Sequence, residues 1–330
     1  MTSSTDTLTD MLARAHAGDR RALARVISAI ERGERLPGIP LGDAEDAAKL
    51  CVGITGAPGA GKSTLVSALT DELLKTSPSA AVLAVDPSSP ISRGALLGDR
   101  VRMHRHATRP EVFIRSMATR SHHGGLAGAT QASRRLLQYC AWPLVLIETV
   151  GVGQVELDIV NTADIAVVVL NPGWGDEIQA NKAGLMEIAD IFVINKADRP
   201  GLESTRRDID AVIMTRPESQ RPPVIETVAT EGVGMESLAQ AITEVHQSLT
   251  GTGELARRRY AQLGMELSQQ MSRRFSQQLE RYADCPAFAA AVAQLAAGSV
   301  SIEAAIDEML PQVVNSVSPS QDESVPSGEQ

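Results

Sequence analysis

Short apolar runs that alternate with helical stretches constrain the fold of this chain more than any other feature. The runs are almost continuously hydrophobic, which is typical of parallel strands whose two faces are both covered by helices. They occupy residues 50–55, 80–86, 111–117, 143–149, 164–170, 190–196 and 223–229. The pattern therefore predicts an α/β fold with a doubly wound, mostly parallel sheet over residues 48–250.

Helical segments flank this predicted domain on both sides. Apolar residues at steps of three and four predict two short amphipathic helices near the N-terminus, the second of which begins after Asp19 and ends at Gly33. Similar steps predict a long helix over residues 254–282, followed by a shorter helical pair up to residue 310. The long helix can pack on its own domain or form a subunit interface, and its length leaves both open.

These patterns divide the chain into four predicted parts. They are an N-terminal helical extension (1–47), the α/β domain (48–250), a C-terminal helical segment (251–314) and a tail (315–330). The tail consists mainly of serine, proline and acidic residues, which bury too little apolar surface to offset the entropy lost on ordering. We therefore expect the tail to be disordered.

Composition argues against several classes of function. The net charge of −9 disfavours a nucleic-acid partner, because binding to a phosphate backbone needs an excess of Lys and Arg. No apolar run approaches the roughly 20 residues of a membrane span, and neither end resembles a signal sequence. Cys51, Cys140 and Cys285 lack CxxC spacing, which predicts buried thiols rather than disulfides or a zinc site. We expect a cytoplasmic protein without membrane or nucleic-acid partners.

Residues Gly56 to Thr64 read GAPGAGKST and match the phosphate-loop pattern G-x-x-x-x-G-K-[ST]. The loop follows a predicted strand and precedes a predicted helix, as the pattern requires. We expect its backbone N–H groups to face phosphates, Lys62 to reach the β and γ oxygens, and Ser63 to offer its hydroxyl to Mg²⁺. The predicted nucleotide-binding residues of this loop are Gly56, Ala57, Pro58, Gly59, Ala60, Gly61, Lys62, Ser63 and Thr64.

Glu148 interrupts an apolar run at the predicted carboxyl end of a strand, in the sequence LVLIETVGVGQ. Parallel sheets bind ligands beyond this edge, and a carboxylate there can hold Mg²⁺ directly or through water. Gly151 follows in a loop whose backbone N–H can meet a γ-phosphate. Asp86 and Asp99 are further candidates for completing the metal site or orienting the attacking water. Each of these acids can also be an ordinary solvated side chain.

The segment Asn195-Lys196-Ala197-Asp198 ends the sixth apolar run and has the pattern that reads guanine. The carboxylate of Asp198 can accept hydrogen bonds from N1–H and from the exocyclic amino group of guanine, whereas adenine offers neither in that geometry. Lys196 can lie over the base while Asn195 supports the loop. The sequence therefore predicts binding of GTP in preference to ATP.

Seven segments occur in an order and spacing that resemble a known family. They are GAPGAGKST, DPSSP, LLGDRVRM, ETVGVGQVE, GDEIQANKAG, EIADIFVINKAD and VATEGVG. Over about residues 5–310 the chain resembles the methylmalonyl-CoA mutase-associated GTPases of the MeaB type, also called ArgK. The resemblance implies a P-loop GTPase that acts as a chaperone of an adenosylcobalamin-dependent acyl-CoA mutase, gating cofactor loading and protecting the mutase from inactivation.

The resemblance also implies roles for individual acids. In this family a glutamate replaces the usual aspartate of the third GTPase motif, and Glu148 stands at that position. The implied Mg²⁺ ligands are Ser63, Asp86, Asp99 and Glu148, while the implied catalytic residues are Lys62, Asp86 and Glu148.

Further implied features concern the base and the partners. Val228, Ala229 and Thr230 are expected to border the guanine, with the N–H of Ala229 in contact with it. Residues 171–184, including Asp176 and Lys182, are expected to form a switch that signals to the mutase. The C-terminal helices are expected to form a homodimer. The PGWGD sequence is an uncommon version of the switch, and Val228 stands where the last GTPase motif often has Ser.

Hydrolysis of GTP depends on positioning, charge neutralisation and an oriented water more than on covalent chemistry. No glutamine directly follows Gly151, so we favour Asp86 for orienting the water and keep Gln154 as an alternative. Arg93, or an arginine of the partner, is a candidate for stabilising the transition state. The resemblance implies slow intrinsic turnover that the mutase accelerates.

Three other functions remain alternatives. A nickel- or other metal-delivery GTPase could use His104, His106, His122 and His123, although no cysteines accompany them. A small-molecule kinase needs a substrate pocket and a base near the γ-phosphate, and the guanine pattern argues against it. A nucleotide-binding scaffold binds GTP without releasing phosphate.

Overall fold

A computed structural model describes residues 4–34, 38–39, 46, 48–87, 104–106, 108–119, 125–149, 158–173 and 179–315. The strands are β1 (Leu50–Gly56), β2 (Ala80–Pro87), β3 (Val112–Thr119), β4 (Leu144–Thr149), β5 (Ile165–Leu170), β6 (Ile191–Asn195) and β7 (Val224–Thr227). They form one parallel sheet in the order β3-β2-β4-β1-β5-β6-β7. Each predicted apolar run forms one strand, so the predicted α/β fold with a doubly wound parallel sheet is confirmed.

Helices precede, separate and follow the strands. They are α1 (Ser4–His16), α2 (Arg20–Arg32), α3 (Lys62–Leu73), α4 (Gly125–Tyr139), α5 (Gln179–Ile188), α6 (Leu202–Ile213), α7 (Met235–Gly251), α8 (Glu254–Ala283), α9 (Pro286–Ala296) and α10 (Ile302–Asn315). Short 3₁₀ turns lie at His104–His106, Asp158–Asn161 and Glu218–Gln220.

Apolar side chains cover both faces of the sheet, because alternate residues of a buried strand point to opposite sides. On one face, Leu65 of α3 and Leu238 of α7 belong to the same buried cluster as Ile54 of β1. On the other face, Ile27 of α2 and Leu136 of α4 pack with residues of β1, β2 and β4. The faces of the sheet are therefore covered, and loops leave it at the two edges where the strands begin and end. The phosphate-loop pattern lies at the edge where the strands end.

The second N-terminal helix, α2, begins and ends where the sequence predicts. The side chain of Asp19 accepts hydrogen bonds from the backbone N–H of Arg21 and Ala22 at 2.9 and 3.1 Å, which caps the helix. Gly33 follows the last turn with a φ of 74°, a left-handed conformation that suits glycine. Ile27 on the apolar face is fully buried. Local sequence therefore fixes the limits of α2, and packing on the sheet stabilises it.

The chain divides into two compact units, Met1–Met265 and Glu266–Gln330. The division falls inside α8, a helix of 30 residues, rather than at the predicted limit between residues 250 and 251. The limits proposed for the four parts of the chain stay predictions, and the tail from residue 316 lies outside the described residues. No helix in the described ranges combines the length and the hydrophobicity needed to cross a membrane.

Asp164 lies fully buried at the amino-terminal edge of the sheet, directly before β5. Its carboxylate accepts hydrogen bonds at 2.8 Å from Nη2 of Arg134, from Nη2 of Arg259 and from the backbone N–H of Cys51. Burial by itself raises the pKa of a carboxyl, but the two guanidinium groups outweigh it and hold the pKa of Asp164 below its usual value. The start of α8 is therefore bonded to the start of β1 and β5, and the first turns of α8 belong to the α/β unit.

Replacing Asp164 with Asn is expected to lower the free energy of unfolding by about 3–5 kcal/mol, because two buried guanidinium groups lose their counter-ion. Urea unfolding at pH 7 measures the difference. Asp210→Asn is the matched control, since Asp210 pairs with Arg206 at 3.2 Å with 42% and 38% of the two side chains exposed. Loss of that exposed pair is expected to cost no more than about 1 kcal/mol.

The pH dependence of this difference has a defined sign. Because the pKa of Asp164 is lower in the folded state, its contribution is fully present above the ordinary carboxyl value of 3.8 and is lost as the pH falls through the folded-state value. The stability difference between the wild type and Asp164→Asn should therefore be constant from about pH 7 to about pH 5 and shrink only in stronger acid. A difference that disappears by about pH 6 contradicts the assignment.

Candidate functional site

The loop between β1 and α3 follows a tight path that two glycines make possible. Gly56 has a φ of 133°, and a Cβ there lies 2.0 Å from the carbonyl oxygen of Val169. Gly61 has a φ of 91°, and a Cβ there lies 2.5 Å from Nδ2 of Asn195. Neither position accepts a side chain without movement of its neighbours. The predicted strand, loop and helix are therefore present. At the two ends of the loop the backbone packs closely against Val169 and Asn195.

The start of α3 suits an anion. Backbone N–H groups in the first turn of a helix lack intrahelical acceptors and carry partial positive charge, which favours phosphate oxygens. The side chain of Lys62 is buried, and its Nζ donates to the carbonyl oxygens of Gly56 at 2.6 Å and of Ala57 at 3.1 Å. The positive charge of Lys62 therefore lies within the loop, beside the positive end of the helix.

Glu148 contacts the phosphate loop through Ser63. The Oγ of Ser63 donates to Oε1 of Glu148 at 2.5 Å, and the two residues are only 4% and 1% exposed. Glu148 pairs with Ile54 in the register between β4 and β1, which brings the carboxylate next to the end of β1. Hydroxyl and carboxylate oxygens are the ligands that Mg²⁺ prefers. The chemistry and position of this pair therefore fit a magnesium site.

Several predicted site residues lie outside the described part of the chain. They are Asp99, Gly151, Arg93, Gln154 and Asp176. Asp86 is the penultimate residue of β2 and Lys182 lies in α5, but their side chains are not described. Across the described ranges, no group of three or more His, Cys, Asp or Glu residues is placed to hold a metal ion. Ser63 and Glu148 are the two predicted metal ligands that the structure brings together.

Asn195, at the end of β6, connects three loops. Its Nδ2 donates to the carbonyl oxygen of Ala60 at 2.7 Å. Its Oδ1 accepts hydrogen bonds from Oγ1 of Thr227 and from the backbone N–H of Ala229, both at 3.1 Å. These bonds hold the phosphate loop against the loops that follow β6 and β7. The N–H of Ala229, which the resemblance assigns to guanine, donates to Asn195 in this structure.

Lys196 and Asp198 follow Asn195 in the loop after β6. Lys196 has a φ of 61°, which is uncommon for a residue with a side chain. Its Nζ donates to the carbonyl oxygen of Gly59 at 2.6 Å. The side chain therefore extends from the loop after β6, here called the base loop, to the phosphate loop. Asp198 is exposed at the same edge of the sheet. The residues of the guanine pattern and the phosphate loop therefore adjoin each other.

His106 is buried and bonded to α3. Its Nε2 lies 3.0 Å from both the carbonyl oxygen and Oγ of Ser67, and its Nδ1 lies 3.7 Å from Oδ1 of Asp71. Burial lowers the pKa of His106. Sequence reasoning missed this contact because the two residues are 39 positions apart and share no local pattern. His122 and His123 lie outside the described residues, as does the side chain of His104.

Comparison with known families gives the family of the chain. The sequence profile described as methylmalonyl Co-A mutase-associated GTPase MeaB matches residues 43–284, well over half of the chain. The chain belongs to the MeaB family. The predicted family is therefore confirmed, and with it the GTPase class of the enzyme.

Curated relatives agree with membership of the MeaB family. A protein of Pyrococcus horikoshii that is named as a GTPase is 46% identical over 270 residues, covering 78% of this chain and 84% of the relative. GTPase ArgK of Escherichia coli is 33% identical over 271 residues, covering 78% of this chain and 81% of that protein. The mitochondrial methylmalonic aciduria type A homolog of Mus musculus is 37% identical over 217 residues, covering 64% and 52% of the two chains.

A crystal structure described as a LAO/AO transport system kinase shares the fold. It aligns with a TM-score of 0.61 over 96% of this chain and 99% of its own, at 24% identity. At that identity the likeness shows the fold alone. Together, the fold and the family establish a MeaB-family P-loop GTPase that binds guanine nucleotides.

Proposed function

We propose that this MeaB-family GTPase is a chaperone of an adenosylcobalamin-dependent acyl-CoA mutase of the methylmalonyl-CoA mutase type. In this role it gates cofactor loading and protects the mutase from inactivation. The observation that carries the proposal is the family match over residues 43–284, because the family is described as associated with that mutase. The mouse relative, whose name refers to methylmalonic aciduria, supports the same assignment.

The phosphates of GTP are proposed to bind the loop from Gly56 to Thr64. Backbone N–H groups of the loop and of the first turn of α3 contact the phosphate oxygens, and Lys62 contacts the β and γ oxygens. The burial of Lys62 supports this role, because its bonds to Gly56 and Ala57 hold its positive charge within the loop.

Mg²⁺ is proposed to bind at Ser63 and Glu148, with Asp86 and Asp99 completing the site. When bound, the ion neutralises charge on the β and γ oxygens. The buried bond between Ser63 and Glu148 supports this placement, since both oxygens lie beside the phosphate loop. Glu148 then holds Ser63 in the orientation that the metal site needs.

Hydrolysis is proposed to proceed by attack of a positioned water on the γ-phosphate. Asp86 orients this water, with Gln154 as the alternative, and the N–H of Gly151 contacts the γ-phosphate. An arginine, Arg93 or one supplied by the mutase, stabilises the transition state. We expect slow intrinsic turnover that the mutase accelerates.

Guanine is proposed to bind between the loops after β6 and β7. Asp198 accepts hydrogen bonds from the base, Lys196 lies along it, and the segment Val228, Ala229 and Thr230 borders it. The contact between Lys196 and Gly59 supports this arrangement, because it brings the base loop to the phosphate loop.

Replacing Asp198 with Asn is predicted to lower affinity for GTP by about tenfold or more, because hydrogen bonds to a charged acceptor contribute about 1.5–3 kcal/mol each. The same variant should gain affinity for xanthosine triphosphate, since the Asn amide can donate to the 2-carbonyl oxygen of xanthine. Titration with fluorescent nucleotides measures both. Asp208→Asn, an exposed acid of α6, is the control. Unchanged preference for GTP in Asp198→Asn removes the assignment.

A homodimer through the C-terminal helices is also proposed. Eight large apolar side chains of α8, α9 and α10 are 45–64% exposed in the single chain, and exposed apolar surface is typical of interaction sites. They are Leu267, Met271, Leu279, Val292, Ile302, Ile306, Leu310 and Val314. A second copy would cover them.

We also propose a cytoplasmic location.

Binding to a purified adenosylcobalamin-dependent mutase tests the proposed function. The immobilised GTPase is loaded with GDP or with a non-hydrolysable GTP analogue, and the mutase retained in each state is quantified. We expect retention that differs between the two nucleotides, and single-turnover hydrolysis that rises when the mutase is added. Lys62→Ala is the control and should lose the nucleotide-dependent difference. No retention in either state, or fast hydrolysis without a partner, contradicts the proposal.

A further inference from the structure

The pairing between the adjacent strands β1 and β4 ends next to Ser63 and Glu148. The last register pair between β1 and β4 joins Ile54 to Glu148. The pairing between β1 and β4 ends there, whereas Thr55 still pairs with β5 and Thr149 still pairs with β2. β1 then leads into the phosphate loop, and β4 ends. The relative position of these two strand ends is thus no longer set by their own backbone pairing.

A side-chain hydrogen bond connects the strands at this point. Oγ1 of Thr149 donates to Oγ1 of Thr55 at 2.9 Å, and the carbonyl oxygen of Ile54 lies 3.5 Å from the same hydroxyl. Thr55 and Thr149 are 0% and 2% exposed, so water does not compete for the hydroxyls. A buried hydroxyl without a partner is unfavourable. The bond therefore favours one distance between the end of β4 and the end of β1.

The threonine pair adjoins the residues proposed to act on the nucleotide. Thr55 directly precedes Gly56, and Thr149 directly follows Glu148. Alternate residues of a strand point to opposite faces, so Glu148 reaches Ser63 on one face while Thr149 lies toward the other. Ligands of parallel sheets bind where the connections of neighbouring strands leave toward opposite faces. α3, which follows β1, packs on one face of the sheet, and Ile159, which follows β4, packs on the other. The pair therefore lies between two strands of this kind.

We propose that Thr55 and Thr149 are positioning residues for GTP hydrolysis. Their hydroxyl pair fixes the strand end that carries Glu148 relative to the strand end that enters the phosphate loop. The pair acts through Glu148 and Ser63 and does not touch the nucleotide, so the inference rests on the proposed role of Glu148. Displacement of a reacting group by about 1 Å can slow a reaction about 100-fold. Loss of the pair therefore slows hydrolysis more than it weakens nucleotide binding.

Thr149→Val removes the hydroxyl and keeps the shape of the side chain. Single-turnover hydrolysis of GTP is expected to slow by about tenfold or more, while the affinity for GDP stays within about twofold of the wild type. Thr149→Ser keeps the hydroxyl and should restore the rate to within about threefold. Hydrolysis at the wild-type rate in Thr149→Val, or an equal loss of GDP affinity, overturns the inference.

A double variant separates positioning from stability. Thr55→Val combined with Thr149→Val leaves neither hydroxyl buried alone, so the melting temperature should return toward that of the wild type. If the pair positions the strand ends, hydrolysis stays slow in the double variant. Recovery of the rate together with the melting temperature shows a purely structural role and overturns the inference.

Thr70→Val is the matched control. Thr70 is also fully buried, and its Oγ1 donates to the carbonyl oxygen of Val66 at 2.6 Å within α3, away from the strand ends. This variant should hydrolyse GTP at the wild-type rate, and slowing equal to that of Thr149→Val overturns the inference. Glu148→Gln distinguishes the two proposals. Unchanged hydrolysis in Glu148→Gln overturns both, whereas slow hydrolysis there with a normal rate in Thr149→Val overturns this inference alone.

Discussion

The hydrogen bond between Ser63 and Glu148 is the contact on which the proposed nucleotide site depends. It joins the first turn of α3 to the end of β4. The helix that follows the phosphate loop is therefore held next to the strand that carries Glu148. Because both groups are buried, the bond has little competition from water and keeps a defined geometry. Asn195 and Lys196 extend this arrangement, since both donate to carbonyl oxygens of the phosphate loop.

The opposite edge of the sheet is held together by charge. Asp164 binds Arg134 and Arg259, and both Nη atoms of Arg258 donate to Asp190 at 2.9 Å. These bonds fix the first turns of α8 to the amino-terminal ends of the strands. The proposed nucleotide site and the bonds of the first turns of α8 therefore lie at opposite edges of one sheet.

The fold and the phosphate loop could be predicted because their signals are local. Apolar runs mark the strands, and the order of glycines, lysine and serine marks the loop between β1 and α3. Glu148 stood out because it ends an apolar run and because glycines follow it closely. Contacts between distant residues left no such signal. Thr55 and Thr149 are 94 positions apart, and Arg259 and Asp164 are 95 apart, so only the packed fold shows which polar groups meet.

Magnesium dependence of GTP hydrolysis, compared between the wild type and Glu148→Gln, tests whether Ser63 and Glu148 hold the metal ion. If Ser63 and Glu148 form the metal site, the variant needs about tenfold or more Mg²⁺ for half-maximal hydrolysis, as expected when a group that orients or ligates a metal is replaced. Binding of GDP without Mg²⁺ should change little, because the loop and the base contacts are intact. Superimposable magnesium titrations of the two proteins would contradict the account.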